Sequence, residues 1–150
     1  MKKAPIFLLL VLLAFACQNA SQTQVLEQAV SSTQQLLSDE KALTPQMTAI
    51  GDQVEALPER FKTENPEAFA TLQRQFNGAY SKREQCLVML QEGASKSESL
   101  LQSKAADVKQ QFETQVQPQL KKASETVQQY DQYLQGLKTK ADSIARVYGG

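Results

Sequence analysis

Histidine and tryptophan are absent from this 150-residue sequence, and cysteine occurs only at Cys17 and Cys86. Without histidine, the chain can form neither an ordinary catalytic triad nor an imidazole metal site. Two cysteines cannot complete a structural zinc site, and the sequence contains no glycine-rich phosphate loop. We therefore predict that the protein is not an enzyme, and that it has no catalytic, cofactor-binding or metal-binding residues.

Two short patterns in the chain imitate functional motifs. Ser38 and Lys41 have the S-x-x-K spacing of serine acyl-transfer enzymes, but the other motifs of those enzymes are missing. Asp39 and Glu40 form an acidic pair of the kind that can bind a hard cation. We interpret the first pattern as a chance match and the second as a solvated helix face.

An excess of one charge sign is also missing. The chain has 16 basic and 16 acidic residues, and removal of Lys2 and Lys3 with a leader segment would leave 14 basic residues. This balance is not that of a nucleic-acid-binding protein, so we predict no nucleic-acid partner.

Glycine and proline are scarce, with 6 and 5 residues, and the remaining composition favours helices over strands. We predict an all-α fold: an elongated antiparallel bundle or coiled coil of three long helices, roughly 22–62, 66–93 and 96–148, in one domain over 22–150. We expect a kink or short break at Pro45. At Pro118 we expect either a kink or a turn, and a chain that folds back there would form four helices.

Apolar residues at steps of three or four carry the helix prediction. The first stripe is interrupted by Thr33 and Glu40, and its apolar members are Leu26, Val30, Leu37, Leu43, Met47, Ile50, Val54, Leu57 and Phe61. The second comprises Phe69, Leu72, Phe76, Tyr80, Leu87 and Leu90. We interpret Cys86 as a small residue of the core, and the aromatic residues at helical spacing, Tyr130, Tyr133 and Tyr148, also as core.

The last helix has the most regular pattern. From Leu120 to Tyr148 the apolar steps alternate between three and four, which is a heptad seam, and the preceding steps of four are a stutter. The long seam requires a cover, either from the rest of the chain or from a second copy, so a homo-oligomer through residues 120–148 is one possibility.

Two turns are predicted between the helices. Asn65 and Pro66 suit the N-cap and first residue of a helix. The second turn is predicted in 92–99, where Ser95 and Glu98 have the spacing of a capping box and no large apolar residue occurs.

The single long apolar run, residues 6–16, follows Lys2 and Lys3. As a helix it would be about 16 Å long, which is too short for a hydrocarbon core about 30 Å thick. A positive start and an apolar run of this length are typical of a signal peptide. We expect residues 1–16 to be removed, which leaves 134 residues.

The end of this run has a cleavage-site pattern. Ala14-Phe15-Ala16 fits small-x-small, and Cys17 follows directly. The segment resembles the lipobox of bacterial lipoproteins, in which a dedicated peptidase cleaves before a cysteine that becomes diacylated. The resemblance implies that Cys17 is the lipidation site, carrying acyl chains such as palmitate, and that 17–21 form the lipid anchor and tether. The usual pattern has Leu where Ala14 stands, and Ala14 and Ala16 also suit ordinary signal peptidase, so secretion without lipid is the alternative.

The resemblance covers residues 1–17 only, and it implies a membrane-anchored protein of the cell envelope that faces the periplasm or the cell surface. Gln18 stands where Asp would mark inner-membrane retention, which favours the outer membrane. Our first hypothesis is a non-enzymatic helical scaffold or adaptor that binds another envelope protein. The alternative is a periplasmic carrier or chaperone with an amphipathic helical groove for an apolar ligand or an unfolded client.

Overall fold

The computed structural model describes residues 22–103 and 107–149, and within these ranges the chain is all-α, as predicted. The helices are α1 (Gln22–Glu55), α2 (Glu59–Glu64), α3 (Pro66–Gln102), α4 (Val108–Gln111) and α5 (Gln117–Tyr148), with a π-helical segment at Phe112–Val116. Three helices are long, with 34, 37 and 32 residues in α1, α3 and α5. The predicted signal peptide 1–16 and anchor 17–21 lie outside the described residues.

The chain divides into two compact units. Of the described residues, unit 1 contains those up to Asp39 together with 87–103 and 107–124, and unit 2 contains 40–86 together with 125–149. Helices α1, α3 and α5 therefore each contribute residues to both units.

The predicted apolar stripes form the interior of the protein. In the first stripe Leu26, Met47, Ile50, Val54 and Leu57 are each 2% exposed or less. Burying one such side chain contributes about 1.5 to 3 kcal/mol relative to leaving it in water. The stripe of α1 therefore faces inward, as its spacing predicts.

The heptad seam of α5 is buried within the single chain. Val127 and Leu134 are 0% exposed, Ala123 and Ala141 are 1% exposed, and Tyr130 is partly buried. The predicted burial of the seam is confirmed, and the cover is supplied by the protein's own residues, as the packing of Leu134 and Leu137 in the unit 2 core shows.

The antiparallel arrangement in unit 2 can be read from side-chain contacts between α1 and α3. As the residue number rises along α1, the number of its partner on α3 falls. The pairs are Thr44 with Arg83, Thr48 with Tyr80, and Glu55 with Gln73, each joined by a hydrogen bond of 2.8 to 3.1 Å. One register therefore holds along this pair of helices in unit 2.

The first helix ends earlier than predicted, and Pro58 lies directly before the next helix begins. Helix α1 ends at Glu55, and the prediction of a helix to residue 62 is wrong. Pro58 has φ −53° and ψ 138°, an extended conformation, and its carbonyl accepts the N–H of Lys62 at 3.2 Å as α2 begins. Because Val54 before the break, Leu57 within it and Phe61 after it are all buried, the stripe continues across it.

The turn at Asn65 is confirmed, and the turn predicted in 92–99 is wrong. Helix α3 begins at Pro66, and the carbonyl of Asn65 accepts the N–H of Phe69 at 3.1 Å. Helix α3 then continues through Gly93 to Gln102. A helix rich in serine and charge persists there because Ala94 and Ser97 are buried against the rest of unit 1, so packing outweighs the low propensity of the segment.

The two prolines inside predicted helices do not break them. Pro45 lies inside α1, which runs through it from Gln22 to Glu55, so the alternative of a break there is wrong. At Pro118 the chain does not fold back, because helical structure is continuous from Val108 to Tyr148. The alternative of a fourth helix made by a turn at Pro118 is therefore wrong.

The π-helical segment explains how Pro118 and the stutter are accommodated together. Proline lacks an N–H, and in an α-helix its ring would clash with the carbonyl of residue 114. Here the N–H of Gln117 bonds to the carbonyl of Phe112, which widens the turn just before the proline. In an α-helix a step of four residues is slightly more than one full turn, so a series of such steps moves gradually away from one face of the helix. The wider turn offsets this drift, and all four residues of the stutter are buried: Val108, Phe112, Val116 and Leu120.

Candidate functional site

The residues of the two weak sequence motifs lie on α1. Cys17, the predicted lipidation site, lies outside the described residues. Ser38 and Lys41 are exposed on α1. Asp39 is also exposed and accepts a hydrogen bond from Gln35 at 2.7 Å, whereas Glu40 is only 5% exposed. Our interpretation of the acidic pair as a solvated face is therefore wrong for Glu40.

Glu40 is buried because it faces Arg83, whose side chain is fully buried in unit 2. Arg83 occupies the position on α3 that lies four residues after Ala79 and four before Leu87, both of which are core residues. A charged group is rarely fully buried unless it is paired. Arg83 and the acceptors around it form a buried ionic cluster, which we define as Arg83, Glu40, Thr44, Glu84 and Asp131.

Three long helices contribute to the cluster: α1 supplies Glu40 and Thr44, α3 supplies Arg83 and Glu84, and α5 supplies Asp131. The Nε of Arg83 donates to Asp131 at 2.6 Å. Its Nη1 donates to the hydroxyl of Thr44 at 3.0 Å and to the Glu84 carboxylate at 3.1 Å. Its Nη2 donates to the backbone carbonyl of Glu40 at 2.7 Å and to the carboxylate of the same residue at 3.4 Å.

The five N–H groups of a guanidinium are all donors, and each one in Arg83 has an acceptor within the chain. The two acceptor carboxylates of Glu40 and Asp131 are 6% and 13% exposed, whereas that of Glu84 is 42% exposed and partly solvated. The buried charge is thus compensated mainly by Glu40 and Asp131, one from each of the other two long helices.

This arrangement limits what the cluster can do chemically. A guanidinium with no free N–H offers no donor to a bound anion, and it does not release its proton in proteins. The cluster therefore has the properties of a structural cross-link between α1, α3 and α5. Its geometry positions helices and leaves no open position for a substrate.

Cys86 lies three residues after Arg83 in the sequence, and a cysteine is a potentially reactive side chain. It is 8% exposed and carries a free thiol, so the prediction of a buried core cysteine is confirmed. Burial raises the pKa of the Cys86 thiol above its ordinary value. Since the thiolate is the nucleophile, this shift makes the side chain less reactive at neutral pH.

The aromatic residues of α5 have different environments. Tyr130 and Tyr148 are partly buried and pack against the unit 2 core, as predicted, whereas Tyr133 is 44% exposed and the prediction is wrong for it. Tyr148 makes an edge-on contact with Phe61 at 5.2 Å and accepts a hydrogen bond from the Asn65 side chain at 3.2 Å. This contact attaches the end of α5 to α2 and to the turn before α3.

Arg83 is the central residue that sequence reasoning missed, although a signal for it exists. The apolar stripe of α3 has no apolar residue at the position expected between Tyr80 and Leu87, and Arg83 occupies that position. In the stripe of α1, Glu40 occupies such a position. Opposite charges at core-facing positions of two neighbouring helices predict a buried ion pair, whereas one charged residue alone is easily interpreted as an imperfect seam.

Within the described ranges, no group of three or more cysteine and acidic side chains is arranged to hold a metal ion. None of the described helices has a stretch long and apolar enough to cross a membrane. No protein-family model matches the chain, and comparisons with curated proteins and with solved structures found no match.

Proposed function

We propose that this chain is a non-enzymatic lipoprotein of the cell envelope, anchored through acyl chains on Cys17. The proposal assigns the helical body the role of a scaffold or adaptor that binds another envelope protein. In this proposal the outer membrane is the favoured location. The support for the anchor is the placement of Cys17 directly after Ala14-Phe15-Ala16 at the end of an apolar run of signal-peptide length.

The observation that supports an adaptor over a carrier is the closed seam. A carrier or chaperone needs an apolar groove that an apolar ligand or client can reach. The seam of α5, which has the most regular apolar pattern in the sequence, is covered by the chain itself, and Val127 and Leu134 are 0% exposed. A protein with its apolar faces internally satisfied offers mainly a polar outer surface for recognition.

The large exposed apolar side chains in the described residues do not form a continuous stripe. They are Val88 and Met89 on α3, and Tyr133 and Val147 on α5. Apolar residues scattered in this way are common on soluble protein surfaces. They are suitable places to introduce a crosslinker, because a probe there does not disturb the core.

The anchor is tested by metabolic labelling with a fatty acid and by membrane fractionation. We expect the wild type to take up label and to sediment with membranes. Cys17→Ser should abolish both, whereas Cys86→Ser, the matched control, should retain both because Cys86 is buried in the helical body. Absence of label in the wild type would refute the anchor.

The adaptor role is tested in intact cells with a photo-crosslinking amino acid placed at Val88 or at Val147, which are 56% and 73% exposed. We expect one discrete adduct with an envelope protein, and its loss when Cys17→Ser removes the anchor. The same probe at Leu134, which is fully buried, is the control for unfolded chains. A broad set of adducts would indicate a chaperone, and adducts from no exposed site would contradict the adaptor role.

A further inference from the structure

The buried ionic cluster of unit 2 is not explained by stability alone. Removing two or more charges from water is costly, and a buried ion pair often contributes no more stability than well-packed apolar residues of similar volume. Arg83 and Glu40 occupy stripe positions that apolar residues could fill. We therefore ask which alignments of the helices the cluster permits and which it excludes.

The apolar residues of the heptad seam do not by themselves specify how α5 is aligned along its partner helices. Val127, Leu134 and Ala141 recur at intervals of seven on the inner face, so a shift of α5 by one heptad would again place apolar residues against apolar residues. A regular seam of this kind can slide along its partners, or pair with a second copy, at small cost unless another feature opposes it.

The charges oppose such a shift. Asp131 lies beside the seam and accepts the 2.6 Å hydrogen bond from Arg83. Seven residues further along α5 is Lys138, and seven residues earlier is Ser124. A shift of one heptad would thus place either a second cation or an uncharged hydroxyl opposite the buried guanidinium.

A second copy of α5 would be an equally poor replacement. The guanidinium that neutralises Asp131 comes from α3, and the bond from Arg83 to Glu40 reaches α1. A seam formed by two α5 helices would leave Asp131 without that cation and would leave Arg83 with fewer acceptors. Loss of one partner from a buried ionic pair is strongly unfavourable.

We propose that the Arg83–Glu40–Asp131 cluster is a register device, which specifies one alignment of α5 on α1 and α3 and prevents α5 from pairing with a second copy of the chain. The cluster selects one structure among several of similar apolar packing. This proposal concerns the helical body and is independent of lipidation at Cys17.

The test replaces the three charged members of the cluster with the most buried side chains, so that none of those three charges is left facing an apolar substitute. The variant is Glu40→Leu, Arg83→Met and Asp131→Leu in the full chain, with Cys17→Ser in every sample so that acyl chains cannot cause association. Glu84 is retained because its side chain is 42% exposed. A reducing agent keeps Cys86 from forming disulfides. Circular dichroism, amide NMR spectra and sedimentation equilibrium are measured over a range of protein concentrations.

We expect the variant to retain helix content and a Tm at least equal to that of the parent, but to lose its single structure. The NMR spectrum should contain more than one set of amide resonances, or the mass should rise above the monomer with concentration. The matched control, Arg60→Gln with Glu64→Gln, removes a 2.9 Å ion pair from the exposed face of α2, which takes no part in the register argument, and should remain monomeric with one set of resonances.

Two results would overturn the proposal. A monomeric cluster variant with one set of resonances would show that the apolar seam alone specifies the register. A cluster variant without helix content would show that the cluster is required for stability, and not for the choice among helix pairings.

Discussion

Unit 1 and unit 2 take their residues from the same three long helices, but their interiors are filled differently. In unit 1, α3 contributes small residues beside Leu87 and Leu90, and a Cβ atom at Gly93 would lie only 2.9 Å from Cγ of Leu120. In unit 2, aromatic rings and the ionic cluster fill the space, with Phe76 and Tyr80 stacked at 5.5 Å. Unit 1 is thus specified mainly by size, and unit 2 by size together with charge.

This difference determines which substitutions each unit tolerates. Where helices approach through small residues, an added methyl group is harmful and a small polar group is tolerated: Ser97 is 0% exposed and donates to the carbonyl of Gly93 at 2.8 Å. Where a guanidinium is buried, a change of charge is harmful even if the volume is conserved. A change of charge at a buried position should therefore affect unit 2 in particular, whereas a change of size should affect both units.

The largest effect is expected for Leu134→Asp in unit 2. Leu134 is fully buried, so the variant would place a charge in an apolar environment and should lower the free energy of unfolding by about 5 kcal/mol or more. Thermal melting followed by circular dichroism measures the loss. Because the seam is covered within the chain, the lower Tm should be the same at every protein concentration. Tyr133→Asp, at a neighbouring position that is 44% exposed, is the control and should have little effect.

A slightly smaller effect is expected for Arg83→Met alone. It leaves the buried carboxylates of Glu40 and Asp131 without the guanidinium of Arg83, and the expected loss is about 3 to 5 kcal/mol in chemical denaturation. Arg60→Met is the matched control, since the Arg60 side chain is 66% exposed and its ion pair with Glu64 contributes little. Equal effects of the two substitutions would show that burial of Arg83 carries no special cost.

Gly93→Ala tests whether unit 1 depends on close approach. The new methyl group would collide with the Leu120 side chain, and we expect a loss of about 1 to 3 kcal/mol. Gly78→Ala in the same helix is the control, because no atom beyond its own turn of helix lies within 4 Å of the position that a Cβ would take, and alanine should stabilise α3 by about 1 kcal/mol. If both substitutions stabilised the protein, the size argument for unit 1 would be wrong.

Ser124→Ala should have the smallest effect, and it should be favourable. Among the described residues, the Ser124 hydroxyl is buried without a hydrogen-bond partner. Removing it should raise the free energy of unfolding by about 1 kcal/mol, which corresponds to a rise in Tm of about 3 °C. Ser143→Ala, which removes an exposed hydroxyl bonded to the Thr139 carbonyl, is the control and should not stabilise the protein. An unchanged or lower Tm for Ser124→Ala would contradict this interpretation of the Ser124 hydroxyl.

The inward faces of the helices could be predicted from the sequence because burial follows helical spacing. Most predicted members of the stripes of α1 and α5 are buried, including the interruptions at Thr33 and Glu40, and the others are partly buried: Leu37, Leu43, Tyr130, Ile144 and Tyr148. Thr33 is accommodated because its hydroxyl donates to the carbonyl of Ala29 at 2.8 Å. The stripe determines which face of a helix is buried, and a polar residue in it can also be buried if its hydrogen bonds are made within the protein.

The helix ends could not be predicted as well, because they depend on contacts between distant segments. Pro58 breaks α1 and Pro45 does not, although both are prolines within an apolar stripe. Serine-rich residues 93–99 remain helical because unit 1 packs around them. Arg83 was missed for a related reason, since its acceptors lie 39 to 48 residues away on α1 and α5, apart from its neighbour Glu84.

Because every N–H of the Arg83 guanidinium has an acceptor within the chain, the cluster also restricts how this sequence can evolve. A single substitution of Arg83 removes the cation that the buried carboxylates of Glu40 and Asp131 face, and one of Glu40 or Asp131 removes an acceptor from the buried guanidinium. Lysine cannot replace the five-donor geometry of arginine. A lineage can leave this arrangement only through paired or compensated changes on different helices. Among descendants of this sequence, these three positions should therefore remain fixed together or change together, while exposed positions between them diverge freely.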